Sequence, residues 1–540
     1  MTQPDPLKRA QERLAEIRIK KDLVVKKTKH LKETFTGFDG IEHPLALRYY
    51  QIQGALHLVV MRRFVLGDEC GLGKTLQAIA ALCYIWEREP DRKVLILTTK
   101  SAARQWVGEF KKFTTGIQAF LGAGTPTQRR ALQEGFVKNQ GPTVLVMGYR
   151  AAVQDFTHLQ HLKDYILITD ECSAFKNVKT QVHQVVAHLS ANADRAWGLT
   201  ATLIKNNLME GYGIYRALVP GLFQMTPNQF MLYYCIVRMQ QLPRSRRQIP
   251  VIVGYAAPKV AEFRQVIDPY FIGRPIYEVA SELPSLVSRT VEVDMSDLQE
   301  EKYTDALEGL LEIGTGADAV VKETTKLSAI AYCQEIVDDL ALIDIEAPNS
   351  PKLDALIDLL TEGDLEGEKV IIFSRFRKMV DVMMSRFVKE GIKAVRITGA
   401  ENEVSREAAK GVFQDPSSTV RVICITAAGS EAVNLQAAKA VICYDSPWSA
   451  GDFIQLVGRM IRIGSIHDKC FVVHFLARGR KGKTIDHRVM EVLGKKMNLI
   501  EAVLGKRFKG DGELATVEVE NDISNLFTAL QQDARDARSA

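Results

Sequence analysis

The sequence lacks paired cysteines and long apolar segments, and each absence excludes a class of protein. The eight cysteines are scattered, none belongs to a Cys-x-x-Cys pair, and most fall in apolar runs. This pattern predicts reduced, buried thiols and argues against a zinc site or a disulfide framework. No apolar stretch is long enough to cross a bilayer, and the charged N-terminal segment is not expected to act as a secretory signal. Internal repeats and long low-complexity segments are also absent.

Charge is mild in total but uneven along the chain. The 540 residues carry a net charge of +5, with 46% hydrophobic and 25% charged residues, which is ordinary for a globular protein. Residues 8–32 hold ten Lys or Arg, whereas residues 511–540 are acidic. The basic segment predicts a helical extension over residues 1–40 that either contacts nucleic-acid phosphates or packs as a solvated helix. A chain of this length is expected to contain more than one domain.

Short β-branched runs alternate with helical patterns in two separate regions of the chain. The first region spans residues 41–225 and the second spans residues 346–500. Continuous apolar strands separated by helices predict parallel sheets covered on both faces, so the expected fold class is α/β with two lobes. Residues 226–345 are rich in helix formers and aromatics and predict a helical insertion. Residues 501–540 are expected to hold the end of the last helix and an acidic tail.

Residues 65–75 have the pattern of a phosphate-binding loop. An apolar run is followed by the glycine-rich residues 67–73 and then by Lys74 and Thr75 at the start of a helical pattern. Glycines let backbone N–H groups close around phosphate oxygens, Lys74 can reach the β and γ phosphates, and Thr75 can ligate Mg²⁺. Asp68 stands where the usual pattern has its first glycine. The second region lacks such a loop, which predicts one nucleotide site completed by the other lobe.

Acidic and amide side chains are the next candidates for this site. Asp170 and Glu171 follow the apolar run 165–168, at the end of a predicted parallel strand, where ligands of α/β proteins bind. Asp170 is predicted to hold Mg²⁺ and Glu171 to orient the attacking water, unless the pair only opens a helix. Gln51 can read the edge of an adenine, although a surface position on a helix is the simpler interpretation.

Two arginines three residues apart mark the second region. Arg459 and Arg462 follow Gln455 in a helical pattern and fall on one face of that helix. If they face the first lobe, they can act as arginine fingers on the γ-phosphate; alone, they fit an exposed basic helix equally well. Thr202 in the first region and Thr426 in the second lie in stretches of small residues and hydroxyls. Such stretches suit a turn close to a ligand, but are weak signals by themselves.

These motifs, in this order, resemble the Swi/Snf family of helicase superfamily two over about residues 45–500. The family's own motif I has Asp at the first glycine position. The other matching motifs are Leu95-Ile96-Leu97-Thr98-Thr99-Lys100-Ser101 with Trp106, Asp170-Glu171-Cys172-Ser173 with Lys176-Asn177, and Leu199-Thr200-Ala201-Thr202 with Asn206-Asn207-Leu208 and Glu210. Four connecting segments also match, and ordinary RNA helicases lack them: Arg274 with Glu282-Leu283-Pro284, Met295-Ser296 with Gln299 and Tyr303, Ser350-Pro351-Lys352-Leu353, and Thr484-Ile485-Asp486.

The resemblance implies two RecA-like lobes, a helical insertion between them, a C-terminal brace helix and ATP-driven movement along double-stranded DNA. ATP and Mg²⁺ are the implied cofactors. The residues implied to bind them are Gln51, Asp68, Glu69, Cys70, Gly71, Leu72, Gly73, Lys74 and Thr75, with Thr75 and Asp170 as metal ligands. The implied catalytic residues are Lys74, Asp170, Glu171, Gln455, Arg459 and Arg462. Candidate DNA contacts are Lys100, Thr202 and Thr426, together with Arg244, Arg246 and Arg247 of a basic loop.

Double-stranded or branched DNA is accordingly the expected partner. A monomer is expected, with further protein partners left open, in a bacterial or phage-infected cytoplasm or in a eukaryotic nucleus. Two alternatives stay open. One is a helicase of the same superfamily that acts on RNA or single strands, and the other is an ATP-gated DNA clamp or scaffold without turnover.

Several positions depart from the family pattern. Ser173 replaces the usual His of motif II, Ala201 and Leu203 replace Gly and Pro of motif III, and Ile461 and Ser465 alter motif VI. The positions for phosphate, Mg²⁺ and the arginine fingers are retained, so ATP hydrolysis is expected to survive. The coupling of hydrolysis to movement is less certain, because the altered positions lie in motifs that communicate.

Overall fold

The chain divides into two compact units. The computed structural model describes residues 28–36, 41–241, 248–279, 284–313, 320–323, 325–347, 350–429, 435–461, 467–480, 482–504, 516–518 and 530–531. Unit 1 comprises residues 1–250, 255–281 and 499–516, and unit 2 comprises residues 251–254, 282–498 and 517–540. The predicted insertion, residues 226–345, is therefore shared between the two units.

A seven-stranded, fully parallel sheet forms the centre of unit 1. A hairpin of β1 Thr34–Thr36 and β2 Glu42–Pro44 precedes it. The strands that follow are β3 Arg63–Leu66, β4 Lys93–Thr98, β5 Gln118–Gly122, β6 Thr143–Gly148, β7 Tyr165–Asp170, β8 Arg195–Leu199, β9 Ile236–Gln241, β10 Gln248–Ala256 and β11 Phe271–Ile272. Within the large sheet the order is β11-β3-β8-β7-β4-β6-β5.

Helices follow most of these strands, as parallel connections require. They are α1 Tyr49–Val60, α2 Lys74–Trp86, α3 Lys100–Phe113, α4 Pro126–Lys138, α5 Tyr149–Gln154, α6 Phe156–Leu159, α7 Gln181–Asn192, α8 Leu208–Leu218, α9 Pro227–Tyr234, α10 Ala257–Ile267 and α11 Ile276–Val279. Threonine side chains cap several of them: Thr99 accepts from the N–H of Ala102, and Thr125 accepts from the N–H of Gln128. The apolar runs of β4, β6 and β7 are buried on both faces, as predicted.

Unit 2 contains a second parallel sheet of six strands. Its strands are β12 Ser285–Asp294, β15 Val370–Phe373, β16 Ala394–Ile397, β17 Val422–Ile425, β18 Ala440–Cys443 and β19 Lys469–Arg478. The order is β12-β19-β18-β15-β17-β16. The antiparallel pair β13 Leu310–Ile313 and β14 Val320–Glu323 lies outside this sheet, and β20 Thr516–Glu518 joins β10 and β9 in a third sheet.

Three of the helices of unit 2 begin at segments that carried the family resemblance. The helices of this unit are α12 Asp297–Glu308, α13 Lys326–Asp338, α14 Pro351–Thr361, α15 Arg377–Lys389, α16 Glu403–Gln414, α17 Ala450–Met460 and α18 Ile485–Leu504. Ser296 and Gln299 form a capping box at the start of α12, Pro351 occupies the first position of α14, and α18 begins directly after Thr484.

The predicted fold class, α/β with two parallel-sheet lobes and a C-terminal helix, is confirmed. The predicted helical insertion, residues 226–345, is only partly helical, because it also contains the strands β9 to β14. Inside the predicted N-terminal extension, Thr34–Thr36 form a strand rather than a helix, because alternating Thr and Phe favour an extended backbone; residues 1–27 lie outside the described residues. All eight cysteines are free thiols, and all except Cys70 are buried, as expected. Among the described helices, none has the length and apolar composition needed to cross a bilayer.

Candidate nucleotide-binding site

The phosphate loop, residues 67–73, connects β3 to α2 in unit 1. Its backbone enters the left-handed region at Gly71 (φ 88°) and Gly73 (φ 72°), where a residue with a Cβ is strained. No side chain caps α2, which leaves the N–H groups and the positive dipole end of this helix facing the loop. Lys74 Nζ donates to the carbonyl oxygens of Asp68 (2.8 Å) and Glu69 (3.3 Å). The charge of Lys74 is therefore held inside a loop shaped for an anion.

A buried ion pair between Asp68 and Arg274 lies beside this loop. The Asp68 carboxylate is fully buried and accepts bonds from Nε (2.8 Å) and Nη2 (2.5 Å) of Arg274. Gln77 Nε2 donates to the same carboxylate (2.9 Å), and Arg274 Nη1 donates to the carbonyl oxygen of Tyr50 (2.5 Å). The aspartate that replaces the first glycine thus anchors the segment after β11 to the loop, and it meets Lys74 through its backbone carbonyl.

Gln51 lies against the back of the loop and is only 4% exposed, so the surface position considered from the sequence is wrong. Its Nε2 donates to the carbonyl oxygen of Leu72 (3.3 Å), and its Oε1 accepts from the N–H of Arg48 (3.0 Å). A Cβ on Gly73 would stand 2.7 Å from Gln51 Nε2. Glycine at position 73 therefore serves both the backbone turn and the close approach of this amide. The contact between Gln51 and adenine stays a prediction.

The acidic turn, residues 170–176, begins at the same edge of the sheet as the phosphate loop. In the register of the strands, Asp170 lies opposite Leu199, and Leu199 lies opposite Leu66, the last residue of β3. Glu171 has a left-handed backbone (φ 55°), a costly conformation for a residue with a side chain. A short 3-10 helix, Cys172–Phe175, follows. The acidic pair is therefore at the end of a strand and does not open an α-helix.

Asp170 is fixed by donors from three parts of unit 1. Its Oδ2 accepts from Trp106 Nε1 (2.8 Å) and Thr98 Oγ1 (3.1 Å), and its Oδ1 accepts from the N–H of Glu171 (3.1 Å). Burial, with the nearby charge of Glu171, raises the pKa of Asp170 to about 6, although Lys74 opposes this rise. A cation beside the Asp170 carboxylate would favour its ionised form, because opposite charges attract.

Two of the predicted DNA contacts are buried, and one is exposed. Thr202 is 1% exposed, and its hydroxyl has no hydrogen-bond partner in the described structure. Thr426, in unit 2, is also buried, and its hydroxyl donates to the carbonyl oxygen of Thr398 (2.8 Å). Lys100, at the start of α3, is exposed. Arg244, Arg246 and Arg247 lie outside the described residues, so their predicted contacts stay predictions.

The arginine motif of unit 2 is described only in part. Gln455 and Arg459 lie on α17, whereas Arg462 is outside the described residues. Arg459 is buried, with no hydrogen-bond partner for its Nε in the described structure, and its carbonyl oxygen accepts from the N–H of Leu435 (2.9 Å). A buried guanidinium nitrogen without a hydrogen-bond partner is rare in folded proteins. The exposed basic helix considered from the sequence is therefore wrong for Arg459, and its finger role stays a prediction.

Several residues of the site were not assigned a role from the sequence. Trp106, Thr98 and Arg274 lay in segments that carried the family resemblance, yet their contacts with Asp170 and Asp68 link positions 64 to 206 residues apart. Tyr149, whose hydroxyl donates to the carbonyl oxygen of Asp170 (2.7 Å), had no signal at all. A single sequence does not show pairings across such distances.

Comparison with known proteins places the chain in a family. Residues 50–340 match the SNF2-related domain, and residues 351–464 match the helicase conserved C-terminal domain. The chain is 26% identical over 508 residues to the mouse chromodomain-helicase-DNA-binding protein 1-like, covering 91% of this chain and 53% of that protein. It is 25% identical over 547 residues to the human lymphoid-specific helicase, covering 86% of this chain and 64% of that protein.

A solved structure, the Sulfolobus solfataricus SWI2/SNF2 ATPase core in complex with dsDNA, is 21% identical and aligns with a TM-score of 0.40, covering 92% of this chain and 96% of that one. The chain spans about half to two thirds of the length of the two curated relatives named above. The SNF2-related match alone covers more than half of the 540 residues. On this match, the chain belongs to the SNF2-related domain family.

Proposed function

We propose that this chain is an ATP-dependent motor that hydrolyses ATP and moves along double-stranded DNA. The observation that carries the proposal is the edge of the unit 1 sheet. There the phosphate loop, with Lys74 held inside it, and the acidic pair Asp170 and Glu171 lie at the ends of strands β3 and β7, separated in the sheet only by β8. Membership of the SNF2-related family supports the same reaction, and one relative is named for both helicase and DNA binding, the mouse chromodomain-helicase-DNA-binding protein 1-like.

ATP and Mg²⁺ are the proposed cofactors, and the residues present fit them. The described residues contain no cluster of three or more His, Cys, Asp or Glu that would hold a metal. Mg²⁺ at nucleotides usually takes only one or two protein oxygens, the rest coming from phosphates and water. The Thr75 hydroxyl and the Asp170 carboxylate would supply these oxygens. When bound, Mg²⁺ would neutralise charge on the phosphates.

The side chains of unit 1 divide the chemical work between them. Lys74 and the N–H groups of residues 70–75 would bind the phosphates, and Gln51 would read the adenine. Glu171 would orient the attacking water, and its left-handed backbone fixes where the side chain leaves the turn. Trp106 and Thr98 hold Asp170 in one rotamer. Because phosphoryl transfer depends mostly on position and charge, this constellation would supply the unit 1 part of the hydrolytic site.

The remaining predicted residues enter the proposal with defined roles. Arg459 and Arg462, with Gln455, would stabilise charge on the γ-phosphate in the transition state. Lys100 and the basic residues Arg244, Arg246 and Arg247 would contact the phosphate backbone of DNA and supply salt-dependent affinity without reading sequence. Thr202 and Thr426, both buried, would reach DNA only after a local rearrangement.

Steady-state ATP hydrolysis with a panel of nucleic acids tests the proposal. The panel comprises no nucleic acid, single-stranded DNA, duplex DNA, branched DNA and single-stranded RNA. We expect duplex or branched DNA to stimulate turnover most, and Glu171→Gln or Lys74→Ala to lower it by about 100-fold or more. Lys138→Ala, an exposed change on α4, is the matched control and should turn over as the wild type does.

Each of the other outcomes would support a different interpretation of the function or of the site. Equal stimulation by RNA and duplex DNA would favour the RNA or single-strand helicase. DNA binding that responds to nucleotide, without phosphate release, would favour the clamp. Wild-type turnover in Lys74→Ala would show that the site is assigned to the wrong residues.

A further inference from the structure

We propose that Glu210 is a positioning residue that holds the acidic turn and the threonine loop, residues 200–206, in one fixed arrangement. The proposal rests on the function proposed above, because it concerns how Glu171 is placed for hydrolysis. Glu210 lies in the first turn of α8 and is 7% exposed. It touches neither the phosphate loop nor Asp170 through any described hydrogen bond, so its role would be exerted through other residues.

Four hydrogen bonds converge on the Glu210 carboxylate. Its Oε1 accepts from Lys176 Nζ (2.5 Å) and Asn206 Nδ2 (3.0 Å). Its Oε2 accepts from the backbone N–H groups of Lys205 (2.6 Å) and Asn206 (3.0 Å). One oxygen therefore reaches Lys176 at the end of the acidic turn, while the other holds the end of the threonine loop. A buried carboxylate with four donors, at the positive end of a helix, is a strong local anchor.

The acidic turn gives this anchor a short path to Glu171. Lys176 follows the 3-10 helix Cys172–Phe175, which itself follows Glu171. Helix α8 packs closely on this turn: a Cβ on Gly213 would stand 1.9 Å from the carbonyl oxygen of Lys176. Because packed backbone has no slack at that distance, a shift of α8 would displace Lys176 and the strained residue Glu171 with it.

The threonine loop connects the same anchor to the phosphate loop. Its first residue, Thr200, donates its N–H to the carbonyl oxygen of Leu66 (3.1 Å), at the end of β3. Two buried polar atoms, Thr202 Oγ1 in the loop and Asn207 Oδ1 directly after it, have no hydrogen-bond partner in the described structure. Unpaired buried polar atoms are costly. The loop is therefore held in this arrangement by its anchors at Leu66 and Glu210, together with the internal bonds of the Thr200 hydroxyl to the carbonyl oxygen and N–H of Thr202.

Removing the charge of Glu210 should misplace Glu171 without removing any residue that binds ATP. Glu210→Gln keeps the side-chain shape but turns one acceptor oxygen into a donor, which then faces either Lys176 or the N–H groups of residues 205 and 206. We expect kcat for ATP hydrolysis with duplex DNA to fall by about tenfold or more, because small misplacements of catalytic groups are costly. KM for ATP should stay within about twofold of the wild type, because uniform binding is untouched.

The experiment compares Glu210→Gln, Lys176→Met and the double variant in the full chain with duplex DNA. If the ion pair acts as one unit, each single variant lowers kcat by a similar factor, and the double variant lowers it no further. Glu262→Gln is the matched control, because it removes a more exposed ion pair with Lys259 in the same unit. It should leave both parameters unchanged.

A second measurement uses only the wild-type chain, so its result does not depend on whether a variant folds. In the wild type, amide hydrogen exchange at residues 205 and 206 should be slow, because Glu210 accepts from both N–H groups. Fast exchange there, or a wild-type kcat in both single variants, would overturn the positioning role. A wild-type chain that hydrolyses no ATP would instead overturn the proposed function, and the positioning role with it.

Discussion

One strand-to-helix turn from each sheet shows how the two units differ. In unit 1, β3 leads through seven residues, 67–73, into α2, with glycines in left-handed conformations at positions 71 and 73. In unit 2, β15 leads through Ser374, Arg375 and Phe376 into α15, and this turn contains no glycine. The turn of unit 1 is therefore longer and contains two left-handed glycines, whereas the turn of unit 2 has only three residues.

The turn of unit 2 donates its hydrogen bonds to a buried side chain of the same unit. The buried carboxylate of Asp445 accepts from Ser374 Oγ (2.6 Å) and from the N–H of Arg375 (3.0 Å to each oxygen). Burial raises the pKa of Asp445, although Ser374 and Arg375 oppose the rise. The turn of unit 2 thus bonds to a buried carboxylate of the same unit, whereas no side chain caps α2 after the turn of unit 1.

The two units also differ in where their buried ion pairs lie. In unit 1 the Asp68–Arg274 pair lies beside the phosphate loop and shapes it. In unit 2, Lys352 at the start of α14 lies between Asp338, at the end of α13, and Asp486, at the start of α18, with both distances 2.8 Å. The second cluster joins three helices that are distant in sequence. The two clusters therefore differ in what they fix: the first holds the segment after β11 beside the phosphate loop, and the second holds three helices together.

The largest effect is expected from breaking the cluster of unit 2. Burial by itself lowers the pKa of Lys352, but the two carboxylates raise it above its usual value, so the side chain is a buried cation. Lys352→Met leaves two buried carboxylates without it and should destabilise unit 2 by about 3–5 kcal/mol. Amide hydrogen exchange in α14 and α18 measures the loss.

Lys378→Met is the control for that experiment. Its ion pair with Asp344 is about half exposed or more on both sides, and its loss should cost less than about 1 kcal/mol. Equal protection of α14 and α18 in both variants would mean that Lys352 does not join the helices.

A somewhat smaller effect is expected at the buried pair of unit 1. Arg274→Met leaves the fully buried Asp68 with Gln77 as its remaining side-chain donor and should cost about 3 kcal/mol. Nucleotide affinity should fall as well, because the Asp68 carbonyl that positions Lys74 is no longer anchored. Denaturation and fluorescent-nucleotide binding measure the two effects.

Two further variants help to interpret the effect of Arg274→Met. Arg130→Met, which removes an exposed pair with Glu134 in the same unit, should change neither quantity. Asp68→Asn combined with Arg274→Met should recover part of the loss, since the buried charge is then removed. A stability loss with unchanged nucleotide affinity would separate the ion pair from the loop.

The smallest effect is expected from neutralising Asp445, which accepts hydrogen bonds from the turn of unit 2 between β15 and α15. Asp445→Asn keeps one acceptor for Ser374 or Arg375 and should cost about 1–2 kcal/mol, seen as faster amide exchange in β15. Nucleotide binding should not change, because this turn offers no phosphate loop. A clear gain or loss of nucleotide affinity would contradict the contrast between the turn of unit 1, residues 67–73, and the turn of unit 2, residues 374–376.

Local patterns predicted many elements of the fold. Continuous apolar runs predicted the parallel strands of the two large sheets, and two segments that carried the family resemblance, at Ser296 with Gln299 and at Pro351, lie where α12 and α14 begin. The glycine spacing predicted the phosphate loop, and the two left-handed glycines agree with it. These features depend on neighbours within a few residues, so a single sequence contains them.

Long-range pairings were not predictable in the same way. The sequence placed β12 in a helical insertion, yet its ten residues pair with β19, which lies more than 180 positions later. It also gave no reason for Gln51 to be buried against Leu72. Strand order and amide pairing depend on which surfaces meet after folding, and periodicity does not encode that choice.

The sequence by itself therefore determined the α/β class and the family, and it predicted the phosphate loop and the acidic pair. Each of these follows from residue types at short, fixed spacing. Only the tertiary structure decided that Asp68 is held by Arg274, that Asp170 is held by Trp106 and Thr98, and that Glu210 joins two loops. The physical reason is that a buried polar group must find a partner, and which partner it finds depends on the packing of segments far apart in the chain.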